Sequence, residues 1–434
     1  MKHCRACICI VLFSLLVPFF GYGQNARGDA LRAALPGEEL TLKVAVIGTG
    51  DELYFWWGHL GLIIENSLDG SSRFYDYGIF SFENDNFFAN FALGRLLYTC
   101  GVSDSALNIN YYIRTNRDIT LYTLDLPPEA RLAVFNFAQW NVQPENKDYY
   151  YHHFRDNCAT RIRDILDMAV QGQFKESYGV APGRYTLRQH VRRHTWFSPL
   201  IDWALNFWMG RGIDTPISVW DEMFLPSEIG KRIEEFNYTD ASGLKRKLVT
   251  DIEIISRAEN RPVVLDEAPR SWTGAFILGA AIALALFVSS KLPRGRALFG
   301  TLQALIGLFF GLAGTVLLFM ILFTNHDYTY HNINILFANP LLLAALPLGF
   351  SLAFGKKPEQ RERAAKFLGL LFSWVSAACL FTILVRVFPG YHQQNQNVQA
   401  LVLPFSLVLS CFPRWGRRLA RQAARLLGRI LHKG

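Results

Sequence analysis

Hydrophobic and polar positions follow different patterns in the two parts of the chain. Between residues 40 and 125, apolar runs of strand composition are separated by turn residues, as in LTLKVAVIG, HLGLIIE, RFYDYGIF and DITLYTLDL. NSLDGSS, between the second and third runs, contains an Asp-Gly pair typical of a β-hairpin. PPEARLAVFNFAQWNV and NCATRIRDILDMAV have helical spacing. We therefore expect an α+β domain with a small antiparallel sheet and with further helices to about residue 260.

The last third of the chain holds five long apolar runs that are separated by polar segments. Most of them approach the ~20 residues with which a helix crosses a bilayer. The last run is short and contains or adjoins Pro404 and Pro413, so it is the weakest of the five. The runs cover residues 272–290, 298–323, 335–354, 367–388 and 398–412. Core helices of a soluble domain do not need runs of this length, and the pattern predicts an all-α membrane domain over residues 272–412.

The two ends of the chain have their own signals. MKHCRACICIVLFSLLVPFFGYGQ has a basic start, an apolar stretch and small residues at Gly21 and Gly23, which is the pattern of a secretory signal that is cleaved or retained as an anchor. We assign residues 1–23 to it. Residues 38–265 then form an exported domain, and the basic residues 413–434 form an amphipathic tail on the inner membrane surface.

Lysine and arginine placement predicts the orientation of the membrane domain. They are concentrated in residues 291–296, in residues 356–366 and in the tail, whereas residues 324–334 and 389–397 contain none. Because basic segments stay in the cytoplasm, the exported domain and the uncharged segments face the opposite side. The net charge of +8 is thus a topology signal, and we expect no nucleic-acid partner.

Cys158 stands in the phrase RDNCATRIRDIL, at the start of a predicted helix. Asp156 or Asn157 can cap that helix, and a thiol in the first turn becomes a nucleophilic thiolate more readily. The alternative is a disulfide with Cys100, the only other cysteine of the exported domain, because the exported compartment is oxidising. A disulfide gains nothing from a helix start, so the position favours a nucleophile.

His59 begins the second predicted strand, and Asp76 lies in the third. A symmetric hairpin turn places Asp76 opposite Gly61, on the same face as His59 and one diagonal away. A carboxylate there holds the imidazole tautomer and stabilises its cation. A register slip would put Tyr75 or Tyr77 there instead, and a carboxylate at the hairpin end that only binds backbone is the other interpretation. The predicted catalytic residues are Cys158, His59 and Asp76.

Six further residues are predicted to contact substrate. Asn157 and Arg155 flank the nucleophile, and Asn157 either stabilises an oxyanion or only caps the helix. Trp57 either contacts an acyl chain or packs in the core. The polar segment NHDYTYHNIN either binds a headgroup or amine at the membrane or is a solvated loop. The set is Asn157, Arg155, Tyr77, Trp57, His331 and Asn334.

A metal centre is not expected. His190 and His194 are spaced for a zinc face on one helix, but Arg192 and Arg193 lie between them and no third ligand is near. The chain also has no glycine-rich phosphate loop and no nucleotide signature, so we expect no cofactor.

The order histidine, aspartate, cysteine, with the histidine on a strand and the cysteine at a helix start, resembles that of permuted NlpC-like hydrolases. The phrases GHLGLIIE, FYDYGIFSF, FFANFALGRLLY, NCATRIRDIL, GIDTPISVWDEMFLP and YHNINILFANPL resemble the Lnb-type bacterial lipoprotein N-acyltransferase family over nearly the whole mature chain. The resemblance implies a permuted papain-like (NlpC-like) exported domain fused to a membrane domain. It makes Cys158 and His59 the catalytic pair.

The resemblance also implies a reaction and a location. Cys158 would take an acyl chain from a phospholipid as a thioester and pass it to the α-amine of a diacylated lipoprotein cysteine. The protein would lie in the bacterial inner membrane with its catalytic domain on the periplasmic side, and its partners would be phospholipid, lipoprotein and membrane. Two alternatives remain: a membrane-tethered cysteine amidase or endopeptidase that acts on the cell wall, and a non-catalytic envelope-binding module.

Overall fold

The computed structural model describes residues 35–80, 86–269, 272–388 and 390–411. The predicted signal at residues 1–23 and the predicted tail at residues 413–434 lie outside the described residues.

Nine strands are described in the exported domain, and the four that the sequence predicts are among them. The later part of the domain differs from the prediction, because residues 237–256 form strands where helices were expected. The strands are β1 (Leu40–Ile47), β2 (His59–Asn66), β3 (Ser71–Ile79), β4 (Leu97–Asp104), β5 (Ile119–Leu124), β6 (Asp148–Tyr150), β7 (Asn237–Thr239), β8 (Lys245–Lys247) and β9 (Val249–Ser256).

Seven of these strands form one antiparallel sheet in the order β6-β4-β3-β2-β1-β5-β9, and β7 pairs with β8 separately. The sheet is larger than the small sheet that the sequence predicts, since β4, β6 and β9 extend it at both edges. In the β2–β3 hairpin, Asp76 pairs with Gly61, which is the predicted register. His59 and Asp76 therefore share a face of the sheet.

The helices follow the strands in the chain and then form the membrane domain. They are α1 (Phe87–Ala92), α2 (Ser105–Arg114), α3 (Pro128–Asn141), α4 (Cys158–Ala169), α5 (Gln173–Tyr178), α6 (Leu187–Thr195), α7 (Pro199–Trp208), α8 (Val219–Glu222), α9 (Pro226–Glu235), α10 (Trp272–Lys291), α11 (Arg296–Phe323), α12 (Ala345–Phe354), α13 (Pro358–Leu384) and α14 (Gln396–Cys411).

Helices cover both faces of the large sheet. On one face, α3, α4 and α9 bury a core to which Leu60, Leu62 and Tyr75 contribute. On the other face, a smaller core contains Ile63, Phe74 and Tyr112 of α2. The alternation of side chains along β2 decides which residue reaches which core. His59 lies on the α2 side, where its ring centroid is 6.0 Å from that of Tyr112.

In the part of the chain that the structure describes, four helical segments are long and apolar enough to cross a membrane: Trp272–Lys291, Arg296–Phe323, Ile333–Phe354 and Pro358–Val387. Short 3₁₀ turns precede α12 and form the first part of the third segment. The fifth predicted span corresponds to α14, a shorter apolar helix over Gln396–Cys411. The all-α membrane domain is confirmed, with four full-length spans and a shorter fifth helix in the described residues.

The exported domain and the membrane domain meet at the two segments that contain no lysine or arginine. Asn332 and Asn334 donate from their side chains to the carbonyl of Phe207 at 2.9 and 2.8 Å. Gln393 donates to the carbonyl of Met209 at 3.2 Å. Both segments thus lie on the side of the exported domain, as the charge pattern predicts.

Candidate active site

Cys158 is the first residue of α4, and its position is set by an asparagine cap. The Asn157 side-chain oxygen accepts from the Thr160 N–H at 2.9 Å, and the Thr160 hydroxyl oxygen accepts from the Asn157 N–H at 2.8 Å. Because the first N–H groups of a helix have no partner within the helix, they favour negative charge at this end. Cys158 is 9% exposed and is a free thiol, as is Cys100, so the predicted disulfide alternative is wrong.

His59 and Asp76 are hydrogen-bonded, with 2.7 Å between His59 Nε2 and Asp76 Oδ1. This bond leaves Nδ1 as the ring nitrogen that is not bound to Asp76. Burial disfavours a charged imidazole, but Tyr112, Asp76 and Cys158 outweigh it and raise the pKa of His59 well above its usual value. The site therefore favours the imidazolium form of His59.

A glycine leaves open space next to Cys158. Gly78 lies at the bulge where the β3–β4 register shifts, and its φ of +91° is a conformation that other residues rarely adopt. A Cβ atom at this position would lie 3.8 Å from Cys158 Cβ, 3.9 Å from the Tyr149 hydroxyl and 3.7 Å from Tyr151 Cε2. The space beside Gly78 is thus bordered by the thiol-bearing residue and by two tyrosines.

Tyr149 presents an unused hydrogen-bond donor at this space. Its hydroxyl is buried and has no hydrogen-bond partner among the described residues. Burial, and next the proximity of Cys158, raise the pKa of Tyr149, so the hydroxyl stays protonated. Its ring lies 3.8 Å from the guanidinium of Arg161, which Asp156 holds through two hydrogen bonds of 2.6 and 2.9 Å. The protonated hydroxyl keeps a hydrogen that it can donate, which suits an oxyanion.

Aromatic rings lead from Cys158 to the surface. Tyr151 stacks on Tyr98 with centroids 4.3 Å apart, and Tyr98 stacks on Phe80 at 5.0 Å. Phe80 lies 6.0 Å from Phe87 at the start of α1. Phe88 and Phe91 of the same helix are 73% and 46% exposed. We call this the aromatic row, and its members are Tyr151, Tyr98, Phe80, Phe87, Phe88 and Phe91.

The exposed end of the aromatic row is held at the outer end of a membrane helix. α11 ends at Phe323, and the next residues bind the α1 segment. The Asn325 N–H donates to the carbonyl of Leu93 at 2.9 Å, and His326 Nε2 donates to the carbonyl of Phe91 at 2.9 Å. The row therefore connects the thiol to the level at which a membrane surface would begin.

The loop that carries the nucleophile is bound to the membrane domain. His152 Nδ1 accepts from the N–H groups of Phe154 and Arg155 at 3.1 Å each, so its Nε2 donates to Asp327 Oδ1 at 2.9 Å. Arg155 forms an ion pair with the same carboxylate at 3.1 Å. Asp327 follows α11 and lies in residues 324–334, which we call the outer loop. This loop therefore directly contacts the segment just before Cys158.

The structure gives three of the predicted substrate-binding residues structural contacts. Both amide hydrogens of Asn157 are used, by the carbonyls of His153 and Phe224 at 2.8 and 3.0 Å. Tyr77 is buried, and its hydroxyl donates to Asn141 at 3.1 Å. Asn334 is buried and donates to Phe207, as described above. These groups have little left to offer a substrate.

Two of the predicted substrate-binding residues remain accessible to a ligand. The Arg155 side chain is 75% exposed beside the site, and His331 is exposed in the outer loop. Trp57 is partly buried against a cluster around Phe154, and its indole N–H has no partner among the described residues. Direct contact of Arg155, His331 and Trp57 with substrate stays a prediction.

Sequence reasoning missed Tyr149 and the aromatic row. The run YYYHHF precedes the nucleophile, but nothing in it tells which tyrosine hydroxyl is unpaired. It also missed Arg117, which is fully buried, donates twice to the carbonyl of Gly48 and lies 5.1 Å from the Tyr112 ring.

The two histidines considered for zinc have other partners. His190 Nε2 lies 3.1 Å from Glu222, and His194 Nδ1 donates to the carbonyl of His190 at 2.7 Å. Among the described residues, no group of three or more histidine, cysteine or acidic side chains could hold a metal ion.

Two family models match most of the chain. Residues 28–193 match the model described as the Lnb N-terminal periplasmic domain, which includes His59, Asp76 and Cys158. Residues 268–419 match the model described as the Lnb transmembrane domain. Comparison with curated proteins and with solved structures gave no match.

Proposed function

The chain belongs to the Lnb-type family of membrane proteins with a periplasmic domain, and on this premise we propose that it is a cysteine-dependent lipoprotein N-acyltransferase. It moves an acyl chain from a phospholipid through a Cys158 thioester to the α-amine of a diacylated lipoprotein cysteine. The observation that carries this proposal is the aromatic row. It offers apolar surface from the thiol to exposed rings at the outer end of α11, which an acyl chain needs and a peptide stem of the cell wall does not.

In the first half of the reaction, the Cys158 thiolate attacks the ester carbonyl of the phospholipid. The S–C bond forms, and the carbonyl oxygen becomes an oxyanion that accepts a hydrogen bond from the Tyr149 hydroxyl. When the intermediate collapses, the C–O bond to glycerol breaks and the His59 imidazolium gives its proton to the glycerol oxygen. Lysophospholipid leaves, and the acyl chain remains on sulfur as a thioester.

In the second half, the α-amine of the lipoprotein attacks the thioester carbonyl. Neutral His59 takes a proton from the amine, and Asp76 stabilises the resulting imidazolium. The C–S bond breaks, the electron pair returns to the Cys158 sulfur, and the new C–N bond is an amide. The thiolate–imidazolium pair is restored. The acyl chain lies on the aromatic row between the two halves, which helps to keep water from the thioester.

Intact-protein mass spectrometry tests the first half. Purified protein in detergent is mixed with phosphatidylethanolamine beside a Cys158→Ala variant. We expect one added acyl chain on the unmodified protein alone, its removal by hydroxylamine, and release of lysophospholipid. Protein with a free Cys158 thiol that gains no adduct and releases no lysolipid would refute the acyl-enzyme.

A diacylated lipopeptide tests the second half. When it is added to the preformed thioester, the acyl mass should leave the protein and appear on the peptide as an amide that resists hydroxylamine. A lipopeptide acetylated at its α-amine is the matched control and should leave the thioester in place. Equal loss of the thioester with both peptides would mean hydrolysis and would count against transfer.

A further inference from the structure

An apolar groove lies at the outer ends of two membrane helices, away from Cys158. It has a volume of about 590 Å³, within the range of about 300–1,000 Å³ typical of ligand pockets. Its floor is formed by Ile321 near the end of α11, by Ile335 and Leu336 before α12, and by Phe381 and Val385 of the fourth span. It borders membrane-facing side chains, since Phe381 is 54% exposed. Such a groove fits a hydrocarbon chain that enters from the membrane.

The mouth of this groove is polar and carries a positive charge. Arg211, His331 and Tyr391 line it. The Arg211 guanidinium donates to the carbonyl of Gly390 at 2.6 Å and lies 4.9 Å from the centroid of the Tyr391 ring. An arginine has five N–H donors, so this contact leaves donors for an anion. The combination of an apolar floor and a cationic mouth suits a phosphate with an attached acyl chain.

The outer loop joins this groove to the active site. Asp327 and Tyr328 contact the loop that carries Cys158, and His331 lies at the groove mouth. Because a residue spans at most about 3.3–3.6 Å, the three steps from Tyr328 to His331 cover no more than about 11 Å. The outer loop thus contacts the loop of Cys158 at Asp327 and Tyr328 and lines the groove at His331.

We propose that the groove holds the phospholipid donor, with its phosphate at Arg211 and His331 and with one acyl chain between α11 and the fourth span. The inference rests on the proposed function and extends it to the donor site. The other acyl chain crosses the outer loop toward Cys158 and the aromatic row. The positive charge of Arg211 favours the phospholipid over the lipoprotein in this groove, because the diacylglyceryl group of a lipoprotein has no phosphate.

A photoreactive lipid tests the assignment without turnover. Full-length Cys158→Ala protein is incubated in detergent with phosphatidylethanolamine that carries a diazirine at the end of one acyl chain. After irradiation, the labelled peptides are mapped. We expect label on residues 321–336 and 381–391. Arg211→Gln should reduce that label about tenfold, as loss of a charge-assisted hydrogen bond predicts.

Two tryptophan variants test the groove itself. Val385→Trp fills it and should also reduce the label about tenfold. Leu384→Trp is the matched control, because Leu384 is the preceding residue, is 67% exposed and does not line the groove. It should leave the label unchanged. Equal labelling of all variants, or label that maps elsewhere, would overturn the proposal.

Two other lipids test the occupant. A diazirine diacylglycerol, which has the chains without the phosphate, should label the groove about tenfold less than the phospholipid. A diazirine diacylated lipopeptide should also label it poorly. If the lipopeptide labels the groove better than the phospholipid and is insensitive to Arg211→Gln, the groove belongs to the acceptor and the assignment is wrong.

The same variants, with Cys158 restored, separate this inference from the proposed function. If no thioester forms on the unmodified protein but the phospholipid still labels the groove, the reaction fails and the lipid site stands. If the thioester forms equally fast in Arg211→Gln and Val385→Trp, the reaction stands and the donor site is elsewhere.

Discussion

At the scale of single residues, His59 carries the charge on which the chemistry depends. Asp76 binds its Nε2, and the surrounding groups raise the pKa of the imidazole despite its burial. The imidazolium is therefore present at neutral pH and is lost only as the pH rises through this raised pKa. The stability that the pair contributes is present at a pH below the usual histidine value of about 6.5 and is lost over the same rise.

Asp76→Asn should move this transition to lower pH. Without the carboxylate the pKa of His59 falls, so the imidazolium that supports the thiolate disappears at a lower pH. The rate of Cys158 alkylation by iodoacetamide, measured from pH 5 to 9, checks this, and we expect the rate to fall over the pH range between the His59 pKa of the variant and that of the unmodified protein. Asp69→Asn, in the exposed hairpin turn, is the control. An alkylation profile that does not change in Asp76→Asn would contradict the role.

Tyr149→Phe should slow acyl transfer and spare the thiol. It removes one donor to the oxyanion, and such a loss costs about 10²–10³-fold in kcat. Alkylation of Cys158 should keep its rate, since the thiolate does not need the hydroxyl. The rate of thioester formation, followed by mass spectrometry, measures the acyl transfer. Tyr150→Phe is the matched control, because the Tyr150 side chain is exposed on the same strand. A Tyr149→Phe variant with normal thioester formation would refute the oxyanion role.

At the scale of elements, the cap of α4 fixes the nucleophile. Asn157 accepts from Thr160 and donates to two carbonyls. Asn157→Ala should cost about 0.5–2 kcal/mol through the cap, and more because the carbonyls of His153 and Phe224 lose their donors. Thermal unfolding measures the loss. Asn157→Asp keeps a capping oxygen and loses the amide donors. Its stability should lie between those of the unmodified protein and Asn157→Ala. If it is as unstable as Asn157→Ala, the cap contributes nothing.

The short helix α1 should matter for substrates in a bilayer more than for soluble ones. Phe88→Gln removes an exposed ring at the end of the aromatic row. Insertion of that ring into lipid contributes at most about 3 kcal/mol to the free energy of membrane binding. We expect acyl transfer from phospholipid vesicles to fall about tenfold and reaction with a short-chain soluble ester to stay the same. Leu107→Gln, at a 68% exposed position on α2, is the control. Equal losses with both substrates would point to a folding defect.

At the scale of the whole molecule, Asp327 connects the membrane domain to the catalytic loop. The hydrogen bond from His152 is the main cause that lowers the pKa of Asp327, and burial opposes it. The carboxylate therefore stays charged at neutral pH, and its contribution is lost only as the pH falls through a value below the usual 3.8. The ion pair with Arg155 adds little, at most about 1 kcal/mol, because Arg155 is 75% exposed.

Asp327→Asn should loosen the catalytic loop. Hydrogen exchange of residues 151–157 should become faster and thioester formation slower, because the ring of His152 loses its charged acceptor. Asp164→Asn, which neutralises the 59% exposed carboxylate paired with Arg163, is the control and should change neither quantity. Faster exchange with a normal rate of thioester formation would mean that the contact is only structural.

Several features of this protein depend on local patterns and can be predicted from the amino-acid sequence. The β2–β3 register followed from one Asp-Gly turn and from the period of two along each strand, so Asp76 was placed opposite Gly61 without any contact being known. The position of Cys158 in the first turn of α4 followed from the two capping candidates Asp156 and Asn157, of which the structure uses Asn157. The membrane domain followed from the length of apolar runs, and its orientation from lysine and arginine. These signals act over a few residues, and the tertiary structure does not overrule them.

Long-range packing controls which polar groups are left unpaired and which apolar surfaces meet, and the sequence does not show it. The sequence does not distinguish the hydroxyl groups of Tyr149 and Tyr77. In the structure the Tyr77 hydroxyl donates to Asn141, whereas the Tyr149 hydroxyl has no hydrogen-bond partner among the described residues. Asn334 looked like a headgroup ligand and instead holds Phe207. The aromatic row and the groove at Arg211 bring together residues far apart in the chain, and such long-range packing leaves no periodic signal. The strands at 237–256 were missed for the same reason, since β9 gains its strand form by pairing with β5.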